Sequence, residues 1–255
     1  MLILLPPSEG KTAADNGRPL DLASLAFPEL TDARLEVLAA LAKASAHDHA
    51  HAVLGVGASL AEDVRRNTGL REAAAAPAHS VYSGVLYDAL GYRSMTRVQK
   101  MKADAAVVII SGLWGAVGFA DAVPAYRLSM SVNLPGTGKL APFWRKRLAA
   151  VLDERAGGSL IVDCRSSTYA TVWSGTPERT AAVNVFQERN GKRSVVSHFA
   201  KHTRGELARH LLTRRGKQPA TPEQLLQAAS ERWVCELVPA TARKAAQLNI
   251  VLPGA

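Results

Sequence analysis

A mixed α/β (α+β) fold in a single domain spanning 1–255 is predicted by three features of the sequence. An apolar run, Met1-Leu2-Ile3-Leu4-Leu5, is cut off by Pro6-Pro7; a β-branched run covers Ala105 to Ile110; and Ala- and Leu-rich segments between them repeat with a helical period. With 47% hydrophobic residues, the chain can bury a sizeable core.

Each element follows from local chemistry. Met1 to Leu5 reads as a buried strand, ended by prolines that cannot donate to a ladder. Ser8 to Pro19 is polar and contains Gly and Pro, as a loop does. Apolar spacing predicts helices near 32–45 and 57–67, and Ala105 to Ile110 predicts a second buried strand closed by the turn residues Ser111-Gly112. Tyr126 to Val132 reads more like a strand than a helix. Phe143 to Glu154 has helical period and a basic face, Leu160 to Val162 is a short buried strand, and Ala181 to Gln187 is expected to pair with Ser194 to Phe199 across Asn190-Gly191. Helices near 203–213 and 222–230 then precede a strand around Trp233 to Val238 and a short tail. No long linker, low-complexity tract or internal repeat divides the chain.

Charge narrows the partner. Thirty-one Lys and Arg against 22 Asp and Glu give +9 and a pI near 9.8, which favours an anionic partner, although a solvated basic surface would give the same total. Cys164 and Cys235 lack CxxC spacing, so free thiols in a reducing compartment are expected and a disulfide framework is not. The first apolar run is too short for a signal sequence and no other approaches the ~20 residues of a membrane span, so the expectation is a soluble, monomeric, cytoplasmic protein with no membrane partner.

Several motifs carry candidate chemistry. Gly10-Lys11-Thr12 follows a strand as a phosphate-binding P-loop does, but Leu5 stands where its first glycine belongs; Gly138-Lys139 has Asn133 there and Leu140 in place of the metal-binding hydroxyl. Lys11 can still serve as a charge at a strand end. Leu134-Pro135-Gly136-Thr137-Gly138 resembles the hairpin of helix-hairpin-helix modules, and Lys139, Arg145, Lys146 and Arg147 after it could neutralise phosphates, or form the wet face of an amphipathic helix. Ser197 to Glu206 sets His198, Lys201, His202 and Arg204 at the start of a helix, where free N–H groups favour anions. Asp163-Cys164-Arg165-Ser166-Ser167 offers a guanidinium and hydroxyls at another strand end; Cys164 there reads as a core residue rather than a nucleophile. His47, His49 and His51 would not share a helical face, so neither a metal site nor a cofactor is expected.

The order and spacing of these segments resemble the YaaA family of bacterial proteins over nearly the whole chain. The resemblance rests on Met1 to Leu4 with Ser8, Lys11 and Thr12; Val81-Tyr82-Ser83-Gly84; Ser111-Gly112-Leu113-Trp114-Gly115; Pro124 to Met130; Gly138-Lys139-Leu140 with Phe143-Trp144; and Ser197 to Gly205. It implies a YaaA-like topology with a basic cleft, a helix-hairpin-helix-like element, DNA binding without sequence preference, and a role in the oxidative and peroxide stress response. Carried onto this chain, it implies that Lys11, Tyr82, Ser83, Gly84, Ser111, Gly112, Tyr126, Arg127, Lys139, Lys201 and Arg204 line one cleft. Ser8, Thr12 and Gly138 are expected to hold the anion with them, as is Arg165, whose segment departs from the family pattern. The alternative is an enzyme on a small anionic or nucleotide-like substrate, for which Lys201, Arg204, Tyr82, Ser83 and His198 are the catalytic candidates. Metal sequestration has the least support.

Overall fold

The computed structural model describes residues 1–189, 192–195 and 197–254, with the backbone alone described at 195, 197 and 198. From the first strand, β1 (Leu2–Leu5), the chain passes through α1 (Thr31–Ser45), α2 (Ala50–Leu54) and α3 (Ala61–Arg66). A two-residue strand, β2 (Ala76–Pro77), and helices α4 (Ala78–Val81), α5 (Val85–Leu90) and α6 (Arg97–Ala106) lead to β3 (Val107–Ser111) and β4 (Gly115–Gly118). Short strands β5 (Ala122–Val123), β6 (Asn133–Leu134) and β7 (Gly138–Lys139) precede α7 (Leu140–Ala156), β8 (Ile161–Asp163) and α8 (Ser167–Ala170). The last part is β9 (Thr180–Arg189), β10 (Lys192–Val195), α9 (Ser197–Thr213), α10 (Pro222–Ser230), β11 (Val234–Val238) and β12 (Ala246–Pro253).

The fold is mixed α/β, as the residue pattern predicts. One large sheet runs β11-β12-β9-β8-β1-β3-β4, with β10 beside β9. β1 lies parallel to both β3 and β8, and β8 to β9 is also parallel. All four residues of β1 and all five of β3 are buried, which is why both read as unbroken apolar runs. β4, β10 and β11 pair antiparallel at the periphery.

Three local expectations are corrected. The strand expected at Tyr126 to Val132 is irregular, its backbone drawn to side chains and turns rather than to a ladder. The strand that pairs with β9 is Lys192–Val195, and the expected strand residues Ser197 to Phe199 open α9 instead; the turn pair Asn190-Gly191 lies outside the described residues. The expected tail after Val238 contains β12, whose Ala246, Leu248 and Ile250 turn inward between β9 and β11.

Gly205 shows how tightly the layer over the sheet is packed. A Cβ there would lie 2.1 Å from the Leu86 carbonyl oxygen and 2.9 Å from the Ala89 Cβ, so α9 approaches α5 backbone to backbone. Gly205→Ala must push the two helices apart, and is expected to cost ~1–3 kcal/mol by chemical denaturation. A change within experimental error would show that the contact is loose.

Candidate functional site

The carboxyl ends of β1 and β8 open into a cavity of about 1080 Å³. Its position follows from the strand order: after β1 the chain adds β3 and β4 on one side, then returns to place β8 and β9 on the other. Loops diverge at such a switch point and leave a crevice. Ser8, Lys11, Ser83, Gly84, Arg127, Lys201 and Arg204, drawn from four distant segments, all line it.

Lys11 stands at the wall. A bridge between Lys11 and Tyr82 and a 2.9 Å bond from the Thr12 N–H to the Val81 carbonyl fix its backbone. The Ser8 hydroxyl accepts the Ser83 N–H at 3.0 Å and donates to the Gly10 carbonyl, which ties the β1 loop to the start of α5. The Lys11 Nζ donates to the Ser8 carbonyl at 2.7 Å and lies 4.3 Å from the Tyr126 ring centroid and 5.5 Å from that of Tyr82. Carbonyl and ring faces favour an ammonium. Burial and the Arg127 guanidinium oppose it more strongly than Asp63 and Glu9 support it, and the group is pushed down from 10.5 to about 7.

Beneath Lys11 runs a buried hydroxyl chain. Ser111 Oγ accepts the N–H groups of Leu113 and Trp114 at 3.1 and 3.0 Å, so its own proton goes to the Tyr126 hydroxyl 2.6 Å away. Tyr126 and Tyr82 share a further bond of 3.1 Å. Burial raises both phenols well above their ordinary value of 10.0, so they stay protonated.

The other cations come from two directions. The Arg127 backbone is clamped by buried Asn67, whose side chain accepts the Arg127 N–H at 2.8 Å and donates to its carbonyl at 2.9 Å. The Arg127 side chain donates to the Glu9 carbonyl at 3.0 Å, with the exposed Glu9 carboxylate 3.8 Å away. Lys201 and Arg204, three residues apart on α9, share one face. Arg204 is held by two bonds to the Val183 carbonyl, of 3.1 and 2.8 Å, whereas Lys201 is exposed and has no hydrogen bond or ion pair among the described residues.

Other predicted residues lie elsewhere. Tyr82, Tyr126 and Ser111 are buried under the cavity rather than on its wall. Gly112 is a packing glycine: a Cβ would come within 3.1 Å of the backbone at Ser129 and Met130, and its carbonyl accepts the Trp144 indole N–H at 2.8 Å. Thr12 is exposed and off the wall. Arg165 is consumed by structure: it pairs with Asp163 through bonds of 2.8 and 2.7 Å, donates to the Tyr169 and Trp173 carbonyls, and is buried. Gly138 and Lys139 pair with Asn133–Leu134 in a two-stranded hairpin whose Asn133 lines the cavity, but Gly138 and Lys139 themselves are off the wall. The segment before that hairpin is irregular rather than helical, so the first helix of a helix-hairpin-helix is missing among the described residues. The side chain of His198 lies outside the described residues.

Sequence reading missed Asn67, which lies far from every motif, and Tyr169, which lies just beyond the Asp163 to Ser167 segment. Asn67 ends a helix 60 residues before Arg127, and Tyr169 lines the cavity and accepts the Met130 N–H at 3.3 Å. Burial pushes the Cys164 thiol up to about 12, which removes it as a nucleophile near neutral pH. No group of three His, Cys, Asp or Glu side chains among the described residues could hold a metal ion. Among the described residues no helix is long and apolar enough to cross a membrane.

A mixed sheet with a cavity at its switch point, lined in part by Lys and Arg, is the architecture of α/β proteins whose strand-end loops surround a crevice. Residues 1–236 match the family described as peroxide stress protein YaaA, and the chain belongs to that family. A UPF0246 protein of Streptomyces coelicolor is 46% identical over 233 residues, covering 89% of this chain and 88% of its own length. One from Corynebacterium efficiens is 43% identical, covering 84% and 85%. A third, from Cereibacter sphaeroides, is 31% identical, covering 86% and 89%.

Proposed function

We propose that this chain binds a phosphate-bearing anion of nucleotide size in the cavity at the ends of β1 and β8. The observation that carries the reading is the convergence of Lys11, Arg127, Lys201 and Arg204 on one hollow, where among the described residues no carboxylate except the exposed Glu9 lines the wall. Charge-assisted bonds from such groups to phosphate oxygens are among the strongest available in water. Hydroxyls of Ser83, Ser129 and Ser131 at the wall supply neutral donors, and Tyr87, Tyr169 and Phe186 supply flat apolar surface for a base or sugar.

The volume of about 1080 Å³ is near the upper end of the ~300–1,000 Å³ usual for small-molecule sites. It suits a nucleotide, or the terminal nucleotide of a DNA strand, better than the flank of a duplex. The DNA binding and peroxide-stress role expected from the family enter on this basis: the phosphate of a strand end or of a small ligand occupies the same cations. A strain lacking the protein is expected to be more sensitive to peroxide, and a chain with Arg127→Ala and Lys201→Ala not to restore it.

Thermal-shift titration with pyrophosphate, AMP and a short oligonucleotide tests the binding. A ligand at 100 times its Kd stabilises by ~2.7 kcal/mol, so a rise of several degrees is expected, smaller at high salt. No shift with any of the three contradicts the reading.

The pH dependence has a defined sign. Lys11 carries its proton below about 7 and loses it above. An anion favours the ammonium, so Lys11's share of the affinity is complete below that pH and falls at most about tenfold per unit above it. Calorimetry in buffers of different ionisation enthalpy should register proton uptake on binding between pH 7 and 8.

A further inference from the structure

The geometry points to a second role for the same site: we propose that Lys11 is a nucleophilic amine that forms a Schiff base with an aldehyde or ketone carrying a phosphate. This rests on the anion-binding reading above and names a substrate class for it.

Three features of position support the assignment. Among the described residues no carboxylate lies within ion-pair distance of the Lys11 Nζ, whose hydrogen bonds go to backbone carbonyls, that of Ser8 at 2.7 Å and that of Glu9 at 3.5 Å. Its floor is the faces of Tyr126 and Tyr82 at 4.3 and 5.5 Å, which exclude water from one side. Arg127, a second cation on the same wall, disfavours a positive charge at Lys11 while remaining available to a phosphate. A desolvated amine beside another cation is the arrangement that keeps a lysine neutral and reactive.

The charged and titratable groups around Lys11 are few. Glu9 is exposed and faces Arg127, Asp63 is engaged with Arg66 at 2.8 Å, and the Tyr82, Tyr87 and Tyr126 phenols are protonated. Burial holds all three phenols above their ordinary 10.0, so none of them offers a neutral-pH nucleophile in place of Lys11.

The step balances without a further reagent. The Nζ lone pair forms a bond to the carbonyl carbon as the carbonyl π pair moves to oxygen. That oxygen takes up the proton released by nitrogen, which gives a carbinolamine. Loss of water leaves the C=N bond. The phosphate stays on Arg127, Lys201 and Arg204, which line the same cavity as Lys11 and hold the carbonyl in reach of its amine.

Pyridoxal 5′-phosphate with borohydride is a suitable probe, because it joins an aldehyde to a phosphate and borohydride delivers hydride to the C=N carbon to make the adduct permanent. Wild-type protein would be labelled at pH 7 and the modified lysine located by peptide mass, with exposed Lys139 as internal reference. Lys11 is expected to label at least about tenfold faster than Lys139, because burial and Arg127 push its amine down to about 7, where an ordinary lysine is almost wholly charged. Its labelling should rise through pH 7 and level off, and pyrophosphate should protect it. Labelling at Lys201 instead, or at Lys11 no faster than at Lys139, would overturn the proposal. If pyrophosphate, AMP or the oligonucleotide still stabilises the protein in that case, the anion-binding reading survives; if none of the three binds, both fall.

Discussion

Arg165→Met is expected to destabilise the protein by ~3–5 kcal/mol, because it leaves a buried carboxylate without its cation. The Arg165 side chain is 0% exposed and that of Asp163 9%, and the pair sits at the end of β8 directly under the cavity rim. The guanidinium also donates to the carbonyls of Tyr169 and Trp173, so the change orphans two backbone acceptors together with Asp163. Lysine at this position keeps the charge but cannot span a bidentate carboxylate and two carbonyls, so Arg165→Lys should recover only part of the loss. Urea denaturation of both variants measures this; a loss below ~1 kcal/mol for the methionine variant would match a solvated pair and contradict the structural role assigned to it.

Arg127→Ala should leave stability nearly intact and weaken phosphate binding by roughly 10- to 100-fold. One hydrogen bond from a charged group contributes ~1.5–3 kcal/mol, and each 1.4 kcal/mol is about tenfold in Kd. The fold does not depend on this side chain, whose protein partners are the Glu9 carbonyl at 3.0 Å and the exposed Glu9 carboxylate. Asn67→Ala should weaken binding as well, through loss of the two bonds that aim the Arg127 backbone, and it should also cost stability because Asn67 is buried. Parallel calorimetry and denaturation separate the two: equal losses of stability in both variants would mean that Arg127 is structural.

Much of the fold was legible because its central strands are buried on both faces. Leu2–Leu5 and Val107–Ser111 have no polar side to dilute the pattern, and prolines or a Ser-Gly turn close them. β12 carried a usable signal too, with Ala246, Leu248 and Ile250 facing in and Gln247 and Asn249 between them, but an edge-proximal strand near the end of a chain resembles a tail. α6 was also open to reading from Thr96 and Gln99, which form a capping box with bonds of 3.4 and 2.9 Å.

The site was legible in part, for a physical reason. Ser8, Lys11, Ser83 and Gly84 stand near element ends, Arg127 in an irregular segment and Lys201 and Arg204 in the first half of α9, and in each place polar residues interrupt apolar patterns and draw attention. Sequence cannot say which of the polar residues at those ends has been spent. Arg165 looks like a ligand until Asp163, two residues earlier, is seen to hold it. Tyr82, Tyr126 and Ser111 sit close to the site yet act from underneath, as a buried hydroxyl chain that supports Lys11. Gly205 belongs to a segment rich in candidate chemistry, but its own task is to let two helices touch. Asn67 left no trace because its partner is a backbone 60 positions away.

Crystals soaked with tungstate, a heavy phosphate analogue, would locate the anion site directly by anomalous scattering. The account predicts the strongest peak inside the cavity, within hydrogen-bond reach of Arg127 and Lys201 and adjacent to Lys11. A strongest peak instead on the hairpin and helix face carrying Lys139, Arg145 and Lys146, with the cavity empty, would contradict it.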